Sequence, residues 1–190
     1  MEADWEIELG VEAPVIDACW RGFVDLRMTP ARVRELAEVR QLPALSDVLL
    51  RLNGPASSVW TAKCDVWTPA SVDRYELDAL PEQATAAKAC YVDLLPRTTG
   101  QWPGPEQVGE ICARLCAALR AVPLRCCRAD LIVRSAQLAP ETEGLGITAY
   151  LTACGPSEAG AMLTLAGALV AMADSLATLR NPPTDKSKLQ

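Results

Sequence analysis

Histidine is absent from this 190-residue chain. That removes the side chain most often used as general base, as metal ligand and as partner of a nucleophilic Ser or Cys. A run of basic residues is missing as well: 18 Lys and Arg stand against 24 Asp and Glu, for a formal net charge of −6. Nucleic-acid binding needs a basic stripe to displace counterions from phosphates, so nucleic acid is excluded as the expected partner. The acidic surface also disfavours anionic membranes. The longest apolar run, Ala159 to Ala173, has fifteen residues, whereas a membrane span needs about 20. It reads as a helix buried on most of its faces. The start, Met-Glu-Ala-Asp-Trp-Glu, lacks the basic and apolar stretches of a signal peptide, so the expected localisation is cytoplasmic.

Cofactor motifs are missing too. There is no GxxxxGK[ST] and no GxGxxG after a strand, so no phosphate-cradling loop and no cofactor is expected. Eight cysteines are present, but no CxxC hook of the kind structural zinc prefers. Cys112 and Cys116 fall on the apolar face of a helix, where free cysteine packs as a small hydrophobe. Cys126 and Cys127 are adjacent and should point to opposite sides of a strand. The expectation is free thiols and no metal.

What is present has the make-up of a globular domain, half of its residues being hydrophobic. One domain over residues 1–180 is expected, followed by a flexible polar tail over 181–190. Trp5 to Glu12 alternates apolar and polar, the period of a half-buried strand. Val59 to Trp67 and Cys126 to Arg134 alternate similarly. Each precedes a second strand-like run: Trp20 to Met28, Lys88 to Leu95 and Leu145 to Cys154. The second runs share an echo, Phe23-Val-Asp-Leu26, Tyr91-Val-Asp-Leu94 and Tyr150-Leu-Thr-Ala153. Helix-start signals follow at Thr29-Pro30, Gly104-Pro105-Glu106 and Pro156-Ser157-Glu158. In the first helical region Pro43 should break or kink the pattern.

The expected fold is therefore α+β: a mainly antiparallel sheet with helices packed on one face, in the order ββα-ββα-ββα. A three-fold internal repeat is one explanation of the echo; chance agreement among ordinary strand and cap patterns is the other. Small residues along the third helix, among them Gly160 and Gly167, leave its far face available to a second subunit.

The open face of such a sheet is the first candidate surface. Strand alternation assigns to it the candidate binding residues Phe23, Asp25, Lys63, Asp65, Tyr91, Asp93, Arg128, Asp130 and Tyr150. Glu6, Glu8, Glu12, Arg21, Arg27, Thr61, Trp67 and Arg134 join them. Aromatics mixed with both signs of charge suit an interface, although cross-strand ion pairs on a solvated face use the same residues. The connection over 68–87 is the second candidate, long enough for a lid or a docking segment. Three functions fit. One is a non-catalytic binding protein, homo-oligomeric or holding one protein partner, that uses the sheet face or the 68–87 loop. Another is an enzyme or small-molecule binder built on Lys, Asp and Tyr of that face, with Lys63 and Asp65 in a concave pocket beside Asp25, Asp93 or Asp130. A third follows from element order: from residue 30 the series α-β-β-α-β-β-α, with its acidic pI, resembles the small acidic chaperones of bacterial secretion systems. The first hairpin departs from their helix-first layout. An immunity-type protein fits the composition equally.

Overall fold

The computed structural model describes residues 1–18, 20–98, 101–102 and 104–179. The tail expected over 181–190 lies outside the described residues. Six strands form one sheet: β1 (Glu2–Glu8), β2 (Ile16–Asp17), β3 (Val59–Trp67), β4 (Ala86–Pro96), β5 (Cys127–Ala139) and β6 (Thr142–Gly155). Among the described residues four α-helices accompany them: α1 (Ala37–Gln41), α2 (Ala44–Asn53), α3 (Pro105–Arg120) and α4 (Glu158–Thr178). The fold class is α+β.

The sheet is mixed rather than mainly antiparallel. Its order is β1-β5-β6-β4-β3, with β2 also on β5. The β5–β6, β6–β4 and β4–β3 pairs are antiparallel. Both N-terminal strands run parallel to β5, β1 against Arg128 to Arg134 and β2 against Ala136 and Gln137. A local hairpin can only be antiparallel; β1 and β2 instead reach a strand more than 100 residues away.

The three-fold ββα order is not confirmed. The second and third units exist as β3-β4-α3 and β5-β6-α4. In the first unit, the run from Trp20 to Met28 is no strand. Gly22 takes φ +100°, and Phe23 N bonds back to Trp20 O at 3.3 Å. Asp25 O then accepts from Met28 N and Thr29 N. A glycine with positive φ and an aspartate opening a turn override the alternation of Val24 and Leu26. Thr29-Pro30 opens a 3-10 turn over Pro30–Glu35, not an α-helix. Leu42 and Pro43 do separate α1 from α2.

One side of the sheet packs on the helices. Cys90, Val92 and Leu94, Ala129, Leu131 and Val133, and Ile147, Ala149 and Leu151 meet Leu45 and Leu49 of α2, Val108 and Leu115 of α3, and Leu165 and Leu169 of α4. Each such leucine, fully buried, contributes about 1.5–3 kcal/mol. Ser157 caps α4, its Oγ accepting from Gly160 N at 3.2 Å. Gly155 lets β6 run close under that helix, because a Cβ there would lie 2.4 Å from Ala161 N. By length and composition α4 could cross a membrane, but half of its most apolar window is buried within the protein.

The other side is covered at one end. The chain between β1 and α1 folds back across it, seating Ile16 and Ala18 on Trp60, Ala62, Leu95 and Ala136, with Phe23 and Leu138 at the margin. Gly146 makes room for this second layer: a Cβ there would stand 2.6 Å from Ile16 Cδ1 and 2.8 Å from Leu95 Cδ2. The remaining face, over the N-terminal halves of β4 and β5 and the C-terminal half of β6, carries no helix.

Edge strand β3 is blunted by side chains. Asn53, at the end of α2 and 4% exposed, accepts from Thr61 N at 3.1 Å through Oδ1 and donates to Thr61 Oγ1 at 2.7 Å. Trp20 Nε1 donates to Ala62 O at 3.4 Å, and Val66 N to Asp65 Oδ1 at 2.7 Å. On the opposite edge, β1 presents Glu2, Asp4, Glu6 and Glu8. Occupied backbone groups and charge both oppose strand addition by a second chain.

Candidate binding face

Register determines which side chains share the helix-free face. Across the sheet, Asp4, Asp130, Tyr150, Tyr91 and Asp65 form one row. The next row runs Glu6, Ile132, Thr148 and Asp93, and the one after it Glu8, Arg134, Gly146. On the other flank Ala89 stands between Thr152 and Trp67.

Three aromatic rings meet in the middle of this face. Tyr91 and Tyr150 are direct cross-strand partners with ring centroids 5.8 Å apart. Trp67 lies 6.3 Å from Tyr91 and 6.5 Å from Tyr150, edge-on to the latter. Trp67 is exposed and the two tyrosines half-buried. Such tilted and edge-to-face contacts are the favoured aromatic arrangements.

The charges around them are largely paired. Arg134, with only 12% of its side chain exposed, donates to Glu8 Oε2 at 2.8 Å and to the Tyr150 hydroxyl at 3.1 Å. Arg128 binds Asp130 at 2.7 Å. Asp93 is 6% exposed and accepts from Thr148 Oγ1 at 2.6 Å. Burial raises its carboxyl above the ordinary value, against the Thr148 hydrogen bond and the charges of Lys63 and Arg134. Burial likewise raises Asp130, opposed by Arg128. The Tyr91 hydroxyl is pushed up to about 12 by burial and then by Asp93 and Asp65.

Of the residues that alternation assigned to this face, Asp65, Tyr91, Asp93, Arg128, Asp130 and Tyr150 come together on it, with Glu6, Glu8, Trp67 and Arg134. Thr61 does not. A bulge between Thr61 and Cys64 breaks the period-2 pattern, so both residues turn toward the helices and Thr61 bonds to α2. Lys63 sits within that bulge. Phe23 belongs to the covering segment, 5.9 Å from Trp60. Asp25 is on its turn, bound by Arg27 at 2.7 Å, whose hydrogen bond lowers the carboxyl. Arg27 in turn lies 3.7 Å over the Trp60 ring. Arg21 and Glu12 are exposed turn residues.

Two hollows open on this side. The first, of about 310 Å³, lies between the 20–26 segment, the start of α1 and the β3 bulge; Trp20, Phe23, Glu38, Lys63, Asp65 and Tyr91 line it. None of Asp25, Asp93 and Asp130 lines it, so the pocket expected around Lys63 and Asp65 forms without the third carboxylate. The second, of about 420 Å³, is lined by Asp4, Glu6, Glu76, Arg128, Asp130 and Tyr150 among others. Glu76 brings the 68–87 connection into the site. That connection is anchored, since Leu77 and Ala79 are buried against Cys154 and Asp78 pairs with Arg125 at 3.0 Å.

Glu38 escaped the sequence reading. It occupies the first turn of a five-residue helix, and only the tertiary placement of α1 over β3 brings it to the hollow. Alternation gives no reason to place Trp20 or Trp60 on this side: Trp20 belongs to the irregular covering segment, and the bulge reverses the facing of Trp60 at the start of β3.

The thiols of Cys64, Cys90, Cys112, Cys116, Cys127 and Cys154 are not activated. Burial and then the charges of Glu38, Asp65 and Asp93 push Cys64 up to about 12. Burial raises Cys112 to about 12 and Cys116, Cys127 and Cys154 to about 11. A nucleophilic cysteine needs the opposite shift. Among the described residues no group of three His, Cys, Asp or Glu is placed to hold a metal ion. What the face offers chemically is a set of aromatic rings, a surplus of carboxylates and fixed donors at Arg134 and Arg128. No family model, no curated protein and no solved structure matches this chain.

Proposed function

We propose that this chain is a non-catalytic binding protein that holds one protein partner on the helix-free side of its sheet. The observation that carries the reading is the cluster of Trp67, Tyr91 and Tyr150, with ring centroids 5.8 to 6.5 Å apart on a face free of helices. Aromatic anchors surrounded by polar groups are the usual centre of a protein–protein contact. Glu2, Glu6, Asp65 and Glu76 make no ion pair among the described residues, so the complementary partner surface is basic. Because the β3 edge is blunted, the partner meets side chains rather than adding a strand. Raised thiols and paired carboxylates speak for binding over catalysis. In this reading the protein works in the cytoplasm.

The test is co-purification from the native host followed by reconstitution with the purified partner. One stoichiometric, basic partner should bind wild type and release from Tyr91→Ala, with circular dichroism unchanged. Equal binding by both would refute the proposal.

Self-association belongs to the same reading. Leu163 and Val170, 76% and 41% exposed, lie seven residues apart on α4 and give a second copy an apolar contact away from the aromatic face. Light scattering should show a dimer that Leu163→Asp dissociates. A wild-type monomer at all concentrations would remove this part.

A further inference from the structure

The hollow beside the β3 bulge has the chemistry of a site in its own right. Its volume, about 310 Å³, is at the small end of ligand pockets, enough for one amino-acid side chain or an arylalkyl amine. Trp20, Phe23 and Tyr91 supply aromatic walls, and Glu38 and Asp65 supply carboxylates. Among the described residues Lys63 is the single cation lining it, and its Nζ already leans over the Trp20 ring at 5.6 Å. Cys64, which also lines the hollow, feels Glu38, Asp65 and Asp93 together. Glu38 makes no ion pair of 4 Å or less among the described residues.

We infer that this cleft binds an organic cation, an ammonium or guanidinium group carried on an apolar stem, with the charge between Glu38 and Asp65 and the stem against Trp20 and Tyr91. Aromatic faces attract cations through the ring quadrupole, and carboxylates add directional hydrogen bonds to N–H donors. Lys63 acts as an internal competitor that occupies the Trp20 face when the cleft is empty. The inference goes beyond the partner proposal, because a free amine suffices to fill the cleft. A free amine and a Lys or Arg side chain offer the same chemistry.

Isothermal titration of the full chain separates these. Phenethylamine and the blocked tripeptide acetyl-Gly-Arg-Gly-amide are the cationic probes, and 3-phenylpropionate is the anionic counterpart. The cations should bind and the anion should not. Whichever cation binds more tightly names its source, and binding of either supports the site. Glu38→Gln should weaken cation binding roughly fivefold, the worth of one partly exposed charge contact. Lys63→Gln should strengthen it by a similar factor. Binding of 3-phenylpropionate with loss on Lys63→Gln would overturn the inference, and so would absence of heat for all three probes at 10-fold molar excess over millimolar protein (~10 mM).

Discussion

Tyr91 and Tyr150 stand opposite one another on β4 and β6, their rings 5.8 Å apart on the side of the sheet that no helix covers. Both arise from the echo Tyr91-Val-Asp-Leu94 and Tyr150-Leu-Thr-Ala153. The strands run antiparallel, so the echo does not superpose them residue for residue: Asp93 faces Thr148, and Thr152 faces Ala89. The pairing brings a buried carboxylate to a hydroxyl and leaves two aromatic rings in contact beside Trp67.

Asn53 ties the end of α2 to the edge strand. Its amide donates to Leu49 O at 2.9 Å and to Thr61 Oγ1, and its carbonyl accepts from Thr61 N. Asn53→Ala leaves the buried Thr61 N–H without its acceptor, and urea denaturation should show a loss of about 2 kcal/mol. It also frees part of the β3 edge, so light scattering should detect association absent from wild type.

Much of the fold was legible in the sequence where a single local period decides the structure. Val59 to Trp67 is β3 to the residue, and Pro43 divides the helical region as its missing N–H and ring demand. Three features were not legible, each for a physical reason. The run around Val24 and Leu26 alternates, yet Gly22 and Asp25 turn it. The Thr61–Cys64 bulge reverses the facing of everything before it, and no residue type announces a bulge. The parallel pairing of β1 with β5 depends on contacts remote in sequence. The aromatic and charged face was readable because the stretches of β1, β4, β5 and β6 that carry it, and β3 after its bulge, keep the period of two; of the cleft only Lys63 and Asp65 were readable, because Trp20 and Glu38 come from the irregular part of the chain.

Asp93 should make stability depend on pH. Its folded carboxyl is raised above the ordinary 3.8 by burial, so the native state holds the proton more tightly than the unfolded chain does. Stability from this group is therefore present near pH 4 and falls as pH rises through the folded value. Asp93→Asn removes that slope. The variant should gain on wild type as pH rises from 4 toward 7 in urea titrations, the gain being limited because Thr148, Lys63 and Arg134 offset the burial. A variant that loses ground over this range would show that Asp93 is stabilised as the carboxylate.

The covering segment depends on the absence of a side chain at Gly146. Gly146→Val places methyl groups where Ile16 and Leu95 now pack, at a cost of about 1–3 kcal/mol. The helical side should be unaffected. Limited proteolysis should then cut within residues 16–28, at sites protected in wild type, while α2, α3 and α4 remain intact.

The central claim is that the aromatic face, and not the opposite helical side, makes the contact with a protein partner. Affinity of the purified partner for single variants on the two sides tests it most directly. Trp67→Ala and Tyr91→Ala should each weaken binding by roughly tenfold or more, as loss of an interface anchor does, while Leu163→Asp on α4 leaves the affinity unchanged. Full affinity in Trp67→Ala and Tyr91→Ala, with loss in Leu163→Asp, would contradict the account and move the binding surface to α4.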